Sequence, residues 1–268
     1  MPVINDLRKA QLIMLNMLQE IHTICESNDI EYWLDGGTLL GAVRHQGFIP
    51  WDDDIDIAMT RENYEKFIKV APFALPKNLY LQTEHTDRGY FDTISPMKVR
   101  DKNSQVLEWF ETGKEQYHLG LFVDIFPYDN LPENPLLRFI KKDFARNLLK
   151  IKQTKIQSRG KIKYRLIGKI FTLQFLDNIQ TLLIQSAKKT SSSLIGFGYD
   201  SALKRVYKKR KFFPLKKINF EGNEFYAPQD CDYYLSHTYG DYMSLPPKEQ
   251  QLPKHIKNLK IFTEKGEE

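Results

Sequence analysis

Four aspartates fill five positions in the stretch Trp51-Asp52-Asp53-Asp54-Ile55-Asp56-Ile57, in a chain whose formal net charge is +5. Asp54 and Asp56 lie two apart and alternate with Ile55 and Ile57. On a strand, both carboxylates then project from one face and both isoleucines from the other, toward a core. Carboxylates held that close repel and raise each other's pKa, and a hard divalent cation, Mg2+ or Mn2+, is the usual compensation. Asp52 and Asp53 read either as acceptors for the amides of neighbouring turns or as partners that orient Arg44. A calcium loop does not fit. After the ligand-like Asp52, Asp54 and Asp56, its required glycine is Ile57 and its closing glutamate is Asn63. What stays open is nucleotidyl or phosphoryl transfer, a DxD-type glycosyltransferase holding a metal-bound nucleotide diphosphate, a metal-binding scaffold without turnover, or a plain acidic surface turn.

Upstream, Gly36-Gly37-Thr38 opens a helical pattern. Backbone amides unobstructed by side chains at a helix start can cradle a phosphate, and Thr38 adds a hydroxyl. A glycine turn, a short helix and a two-carboxylate strand follow one another in the order used by nucleotidyltransferase-like enzymes. Such sites add a third carboxylate from a neighbouring strand, and Asp124 in Phe122-Val-Asp-Ile-Phe126 supplies one flanked by apolar residues. A buried aspartate is costly unless it is paired or metal-bound. Arg44 comes within reach of a phosphate if its helix starts at Gly37, with a salt bridge to the aspartate run as the structural alternative. Lys98 could neutralise a leaving phosphate, although its strand pattern also allows an exposed position. His45, His118 and His237 have neither zinc spacing nor a nucleophile partner and read as structural.

These residues must be positioned by an α/β fold with a nucleotidyltransferase-like mixed β-sheet core and a basic helical insertion. Met14, Leu18, Ile21 and Cys25 recur at helical spacing, which predicts an amphipathic helix over Ile4 to Ser27. Strands are predicted over Tyr32–Asp35, Asp54–Met59, Leu79–Thr83, Ile94–Val99 and Leu121–Phe126, and Thr60 can cap a helix through Tyr64, Phe67 and Ile68. From Leu136 to about Ser193 the pattern changes to long basic helices. The rest is aromatic and loop-rich. The expected division is a catalytic core over 1–135, a basic helical lobe over 136–193 and a C-terminal segment over 194–268 that completes the site.

With 268 residues, 41% apolar and 27% charged, the chain has the composition of a folded globular protein, neither disordered nor fibrous. Cys25 and Cys231 match no metal or redox spacing, so a reducing cytosol is expected. The N-terminal stretch is too interrupted for a signal peptide, and no run approaches the ~20 apolar residues of a membrane span. Between Arg138 and Lys169 there are twelve Lys or Arg against one acid, Asp143, and Lys204 to Lys217 adds eight basic residues and no acid. Such runs are either solvated faces or a patch for an anionic surface, phospholipid or polyanionic substrate. Nucleic acid is not among the expected partners.

The runs GGTLLGAVRHQGFIPWDDDIDI from Gly36, HLGLFVDIFPYDNLP from His118 and YLSHTYGDYMSLPP from Tyr234 resemble the LicD family of phosphocholine transferases, whose wider relatives include the fukutin-related proteins. The resemblance is densest over Trp33–Met59 and His118–Pro132 and weak across the basic helices. It implies transfer of phosphocholine from CDP-choline to a sugar hydroxyl of a lipid-linked surface-glycan precursor of the teichoic acid or lipopolysaccharide type, with release of CMP. It puts Asp54 and Asp56 in the metal role, Gly36, Gly37 and Thr38 at the donor diphosphate, and Asp124 as the third carboxylate. A quaternary ammonium offers no hydrogen bond and is held against aromatic faces. Trp33, Trp51, Tyr239 and Tyr242 are therefore the pool for a choline cage, with packing the alternative for Trp33 in particular, and Asp241 can add charge. The expected setting is cytoplasmic, with peripheral contact at the anionic inner face of the membrane where such acceptors reside.

Overall fold

A computed structural model describes residues 6–263, 266 and 267. Helix α1 (Leu7–Ser27) buries Met14, Leu18, Ile21 and Cys25, the stripe expected from their spacing; Ile4, where the helix was expected to begin, lies outside the described residues. Strand β1 (Trp33–Leu34), helix α2 (Gly36–His45), strand β2 (Asp56–Thr60) and helix α3 (Arg61–Ala74) follow. Thr60 caps α3, its hydroxyl oxygen accepting the Asn63 amide at 3.4 Å.

Strands β3 (Leu79–Thr83), β4 (Met97–Asp101), β5 (Ser104–Glu108) and β6 (Phe122–Asn130) complete the N-terminal half. β4 starts three residues later than the pattern suggested. Ile94 and Ser95 instead form a turn in which the Asp92 carboxylate accepts the Ile94 amide at 2.7 Å, just before Pro96. Three helices, α4 (Pro135–Gln157), α5 (Ile162–Ile170) and α6 (Leu173–Lys188), are inserted before β7 (Leu194–Phe197) and β8 (Val206–Lys208). The basic run they carry is not wholly solvated. Lys142 donates to the carbonyls of Phe197, Gly198 and Ser201, and Lys152 is buried against Glu84, Asp177 and Gln180. The C-terminal stretch holds more structure than its aromatic, loop-rich composition suggested: hairpin β9 (Lys216–Phe220) and β10 (Asn223–Ala227), helix α7 (Cys231–Tyr239), β11 (Ile256–Thr263), which pairs with β5, and β12 (Gly266–Glu267).

The main sheet has seven strands in the order β1-β2-β6-β4-β3, with β7 added to β6 and β8 to β7. Only the β2–β6 pair is parallel. β6 is the hub. Its residues Phe122 to Asp129 are all buried, as a strand covered on both faces must be. One edge pairs with β2 from Asp124 to Tyr128, while the other pairs first with β4, up to Ile125, and then with β7, from Tyr128. Pro127 sits at the changeover. Its carbonyl takes the Gly198 amide on the β7 edge, and the Gly198 carbonyl, for which Pro127 has no N–H, accepts from Lys142 Nζ at 2.9 Å. The register sets Asp56, Asp124 and Lys98 side by side on three adjacent strands.

Where β6 ends, α3 is tied to it by ions. Arg61, the first residue of α3, meets Asp129 at 2.7 Å and Asp200 at 2.7 Å, and all three are buried. Gly198 makes room, since a Cβ there would come within 2.3 Å of Arg61 Nη2. Removing one member of a buried ion network strands the opposite charge, at a cost of about 3–5 kcal/mol. Asp129→Ala is expected to lower unfolding stability by that amount, read as a fall in the urea midpoint at unchanged slope; a loss below about 1 kcal/mol would mean the network carries no such weight.

Candidate active site

Asp52, Asp53 and Asp54 lie in the extended segment leading into β2, and Asp56 is its first residue. Ile55 and Ile57 are fully buried, so the alternation turns both acids of the pair to the other side. Oxygen atoms of Asp54, Asp56 and Asp124 lie within 4.8 Å of one another. Asp56 is pushed well above the usual carboxylate range by burial, and further by Asp54 and Asp124. Burial also pushes Asp124 up, to about 6, against the opposing pull of Lys98.

Lys98 is 1% exposed, which corrects the expectation that its strand pattern allows an exposed position. Its ammonium lies 2.9 Å from Asp124 Oδ1, 3.7 Å from Glu108 and 4.0 Å from Asp92, and 3.7 Å above the ring of Phe122. Burial opposes its charge, but Asp124 and Glu108 outweigh burial and raise its pKa. Asp124 Oδ1 is buried, and Lys98 is the cation that meets it. Three carboxylates crowded within 4.8 Å suit a hard, oxygen-seeking divalent cation.

Asp53 lies outside this trio but within 4.8 Å of Asp54, and it latches the C-terminal chain. Its carboxylate accepts the amides of Lys254, His255 and Ile256 at 3.3, 2.9 and 2.7 Å. Burial alone would raise its pKa, yet these bonds and the His255 ring lower it. His255 Nδ1 lies 3.1 Å from Asp53 Oδ1 and 3.0 Å from Asp54 Oδ2. The Asp52 side chain lies against Gly37, where a Cβ would come within 3.0 Å of Oδ2, and its charge favours the ionised Arg44 guanidinium.

The glycine turn is held from beneath. Asp35 is buried and accepts the hydroxyls of Tyr128 and Tyr234 at 3.0 and 2.8 Å, while the Gly36 amide donates to Tyr234 Oη at 3.0 Å. Gly36 has φ +51°, and a Cβ there would sit 2.6 Å from Asp56 Oδ2, so only glycine brings this turn against the shelf. The expectation that Gly36, Gly37 and Thr38 face a diphosphate together is corrected in part. Tyr234 occupies the Gly36 amide, and the buried Thr38 hydroxyl accepts the Asp56 amide at 2.8 Å, fixing β2; Gly37 alone of the three lines the cavity.

That cavity, of about 680 Å³, has Asp54, Asp56, Asp124 and Lys98 in its wall together with Trp51, Tyr239, Asp241 and Tyr242. Arg44 also lines it but donates to the carbonyls of Tyr242 and Ser244 at 2.7 and 3.3 Å, fastening the segment after α7 to α2. Arg205 lies over the Tyr239 ring at 5.6 Å. Trp33 is fully buried against Tyr128, Phe212 and Phe213, away from the cavity. His45 accepts from Arg44 Nε, His118 pairs with Asp87 and stacks on Tyr80, and His237 packs between Tyr207 and Tyr233.

Sequence reasoning missed His255, Asp35, Asp92 and Glu108. None carries a local spacing signal, and each enters the site through non-local pairing. His255 gives a pH-dependent readout. Burial opposes its charge, but Asp54 and Asp53 raise its pKa from 6.5 to about 12. A folded-state value above the unfolded one means that its stabilisation is complete below the unfolded value and is lost as pH rises toward the folded one. In cation-free protein the His255 ring resonances are expected to stay those of imidazolium from about pH 6 to 8, where an ordinary histidine titrates. A midpoint near 6.5 would show that Asp53 and Asp54 do not hold its charge.

Residues 29–165 match the family model described as LicD/FKTN/FKRP, nucleotidyltransferase domain. Over 271 aligned residues the chain is 32% identical to the lipopolysaccharide cholinephosphotransferase LicD of Haemophilus influenzae, covering 96% of this chain and 98% of that protein. A shorter stretch of 40 residues, 15% of this chain and 8% of the relative, is 48% identical to the human ribitol 5-phosphate transferase FKRP. Similarity that runs nearly end to end, together with a family match that begins just before the glycine turn and extends past Asp124, shows that this chain belongs to the LicD family.

Proposed function

We propose that this protein transfers phosphocholine from CDP-choline to a sugar hydroxyl of a lipid-linked surface-glycan precursor, of the lipopolysaccharide or teichoic acid type, and releases CMP. The observation that carries this reading is the convergence of Asp54, Asp56 and Asp124 with Lys98 in one cavity whose wall also carries aromatic rings. Similarity to a lipopolysaccharide cholinephosphotransferase over 96% of the chain supports it. Asp54, Asp56 and Asp124 would hold Mg2+ or Mn2+, which when bound supplies positive charge for the donor diphosphate. The Gly37 amide and the Lys98 ammonium face the same charge. As the acceptor oxygen bonds to the choline-bearing phosphorus, the bond to CMP breaks, and the hydroxyl proton leaves to a base. Asp124 serves as ligand or as that base, and either role requires its carboxylate ionised.

In this reading, residues 1–135 form the catalytic core, 136–193 a basic helical lobe, and 194–268 the segment that closes the site. Closure by that last segment is supported by the Arg44 bonds to the carbonyls of Tyr242 and Ser244 and by the amides that Asp53 gathers at 254–256. The enzyme would work at the cytoplasmic face of an anionic membrane, where lipid-linked acceptors reside. Supporting this is the basic excess between Arg138 and Lys169, of whose twelve Lys and Arg only Lys142 and Lys152 are buried; among the described residues no helix is long and apolar enough to cross a membrane.

Incubation with Mg2+, CDP-choline and a panel of lipid-linked oligosaccharides is expected to release CMP. Pyrophosphate from a nucleoside triphosphate, or turnover of a UDP-sugar, would overturn the proposal, as would Mg2+ binding with no CMP from any acceptor. Asp54→Asn, Asp56→Asn and Asp124→Asn are each expected to cut turnover by more than about 100-fold at saturating Mg2+ with the fold intact, beyond the about 10–100-fold typical of outer-shell partners. Near-normal rates in the Asp54 or Asp56 variant would remove the metal assignment, and in the Asp124 variant its catalytic role.

Choline recognition is assigned to Trp51, Tyr239 and Tyr242, since aromatic contacts with a quaternary ammonium are worth about 0.5–2 kcal/mol each. The wild type is expected to prefer CDP-choline over CDP-ethanolamine, and the preference to shrink in Tyr239→Ala or Tyr242→Ala. Equal losses with both donors would leave these tyrosines a supporting role only.

A further inference from the structure

Helix α5 buries only Tyr164 and Gly168, four residues apart, and both face α4. Tyr164 Oη donates to Asn147 at 2.8 Å, and Lys155 Nζ donates to the Gly168 carbonyl at 2.6 Å. On the opposite side Ile162, Leu166 and Ile170 follow at four-residue steps, 66, 55 and 74% exposed. Lys161, Lys163, Arg165 and Lys169 are exposed around them. The start of α4 repeats the arrangement with Leu136, Ile140 and Phe144, again four apart and exposed. Of the 23 large hydrophobic side chains exposed among the described residues, 13 fall between Leu136 and Leu182. The sole acid from Leu136 to Phe171, Asp143, is already held by Arg146 and Lys204.

A surface helix ordinarily turns its apolar stripe to the core, and a large outward apolar face marks an interaction site. Apolar side chains interleaved with cations, with no acid on α5 and only the paired Asp143 on the first turns of α4, match one solvent, the boundary between anionic headgroups and acyl chains. A second copy of the same helix would bring its cations against like charges. We propose that α5 and the first turns of α4 lie in the interface of an anionic bilayer, with Ile162, Leu166 and Ile170 reaching the acyl boundary. Membrane contact also belongs to the proposed function, which this element refines; charge alone would satisfy that reading, whereas apolar insertion is the further step.

Flotation of the full chain with phosphatidylcholine vesicles, and with vesicles of phosphatidylcholine mixed with phosphatidylglycerol, separates the possibilities without any turnover. The wild type is expected to float with the mixed vesicles and far less with phosphatidylcholine alone. A triple variant, Ile162→Ser, Leu166→Ser and Ile170→Ser, is expected to lose about tenfold or more in partition with an unchanged melting curve. In the otherwise wild-type chain, Leu166→Trp is expected to shift the indole emission to the blue on mixed vesicles, a readout that does not depend on the triple variant folding. Wild-type flotation by the triple variant would reduce the contact to charge and overturn the insertion while leaving the proposed function standing. Wild-type protein that stays free of mixed vesicles, an unshifted emission from the Leu166→Trp variant, or a dimer that the triple substitution turns to monomer would each overturn it as well.

Discussion

Crowding carboxylates into a buried site is the constraint on which the rest of this structure depends. Asp54, Asp56 and Asp124 bring oxygens within 4.8 Å of one another, with Asp35, Asp52 and Asp53 close behind. Each uncompensated charge withdrawn from water costs several kcal/mol, and like charges at this spacing add to the cost. The protein meets this with cations and donors drawn from distant parts of the chain. Lys98 arrives on β4, the ring of His255 and the amides of 254–256 arrive just before and at the start of β11, and the Tyr234 hydroxyl arrives on α7. The shelf remains crowded with negative charge even so, as the raised pKa of Asp56 shows. A site in that condition is poised to take up positive charge, which is what a phosphoryl-transfer centre requires before a diphosphate can enter.

The scaffold fixes these groups through strand register, which is stiffer than any loop. Because β6 lies between β2 and β4, Asp56, Asp124 and Lys98 stand abreast, and none can shift by one residue without turning its side chain to the opposite face. Pro127 marks where β6 exchanges β4 for β7, and from that point the chain departs into the three inserted helices and returns. The Arg61, Asp129 and Asp200 network closes this junction, tying the start of α3 to the end of β6 and to the segment after β7. The outer helices are thereby free to carry an apolar and basic surface that takes no part in the core.

Much of the local structure was legible in the sequence because local physics decides it. Alternation of Asp54 and Asp56 with buried isoleucines, the capping of α3 by Thr60, the apolar stripe of α1 and the bounds of β3 all follow from periodicity and side-chain chemistry within a few residues. The need for glycine at Gly36 is also local in kind, although its cause, the Asp56 carboxylate 2.6 Å from a would-be Cβ, lies twenty positions away.

Tertiary structure decided whatever depends on partners far apart in the chain. Lys98 could be read as exposed or functional until β4 was seen to pair with β6, which sinks its ammonium among three carboxylates. Gly36 and Thr38 looked like phosphate ligands until the Tyr234 hydroxyl and the Asp56 amide took up their polar groups. His255 stands in a loop with no spacing to recommend it, and only the three amides that Asp53 gathers bring it to Asp54. Sequence by itself therefore singled out the paired carboxylates, the glycine turn and the third aspartate as the candidates, because residue type and period are local properties. Which groups neutralise them was settled only by the fold, because compensation of buried charge is made between neighbours in space, and here those neighbours are supplied by strands, helices and loops far apart in the chain.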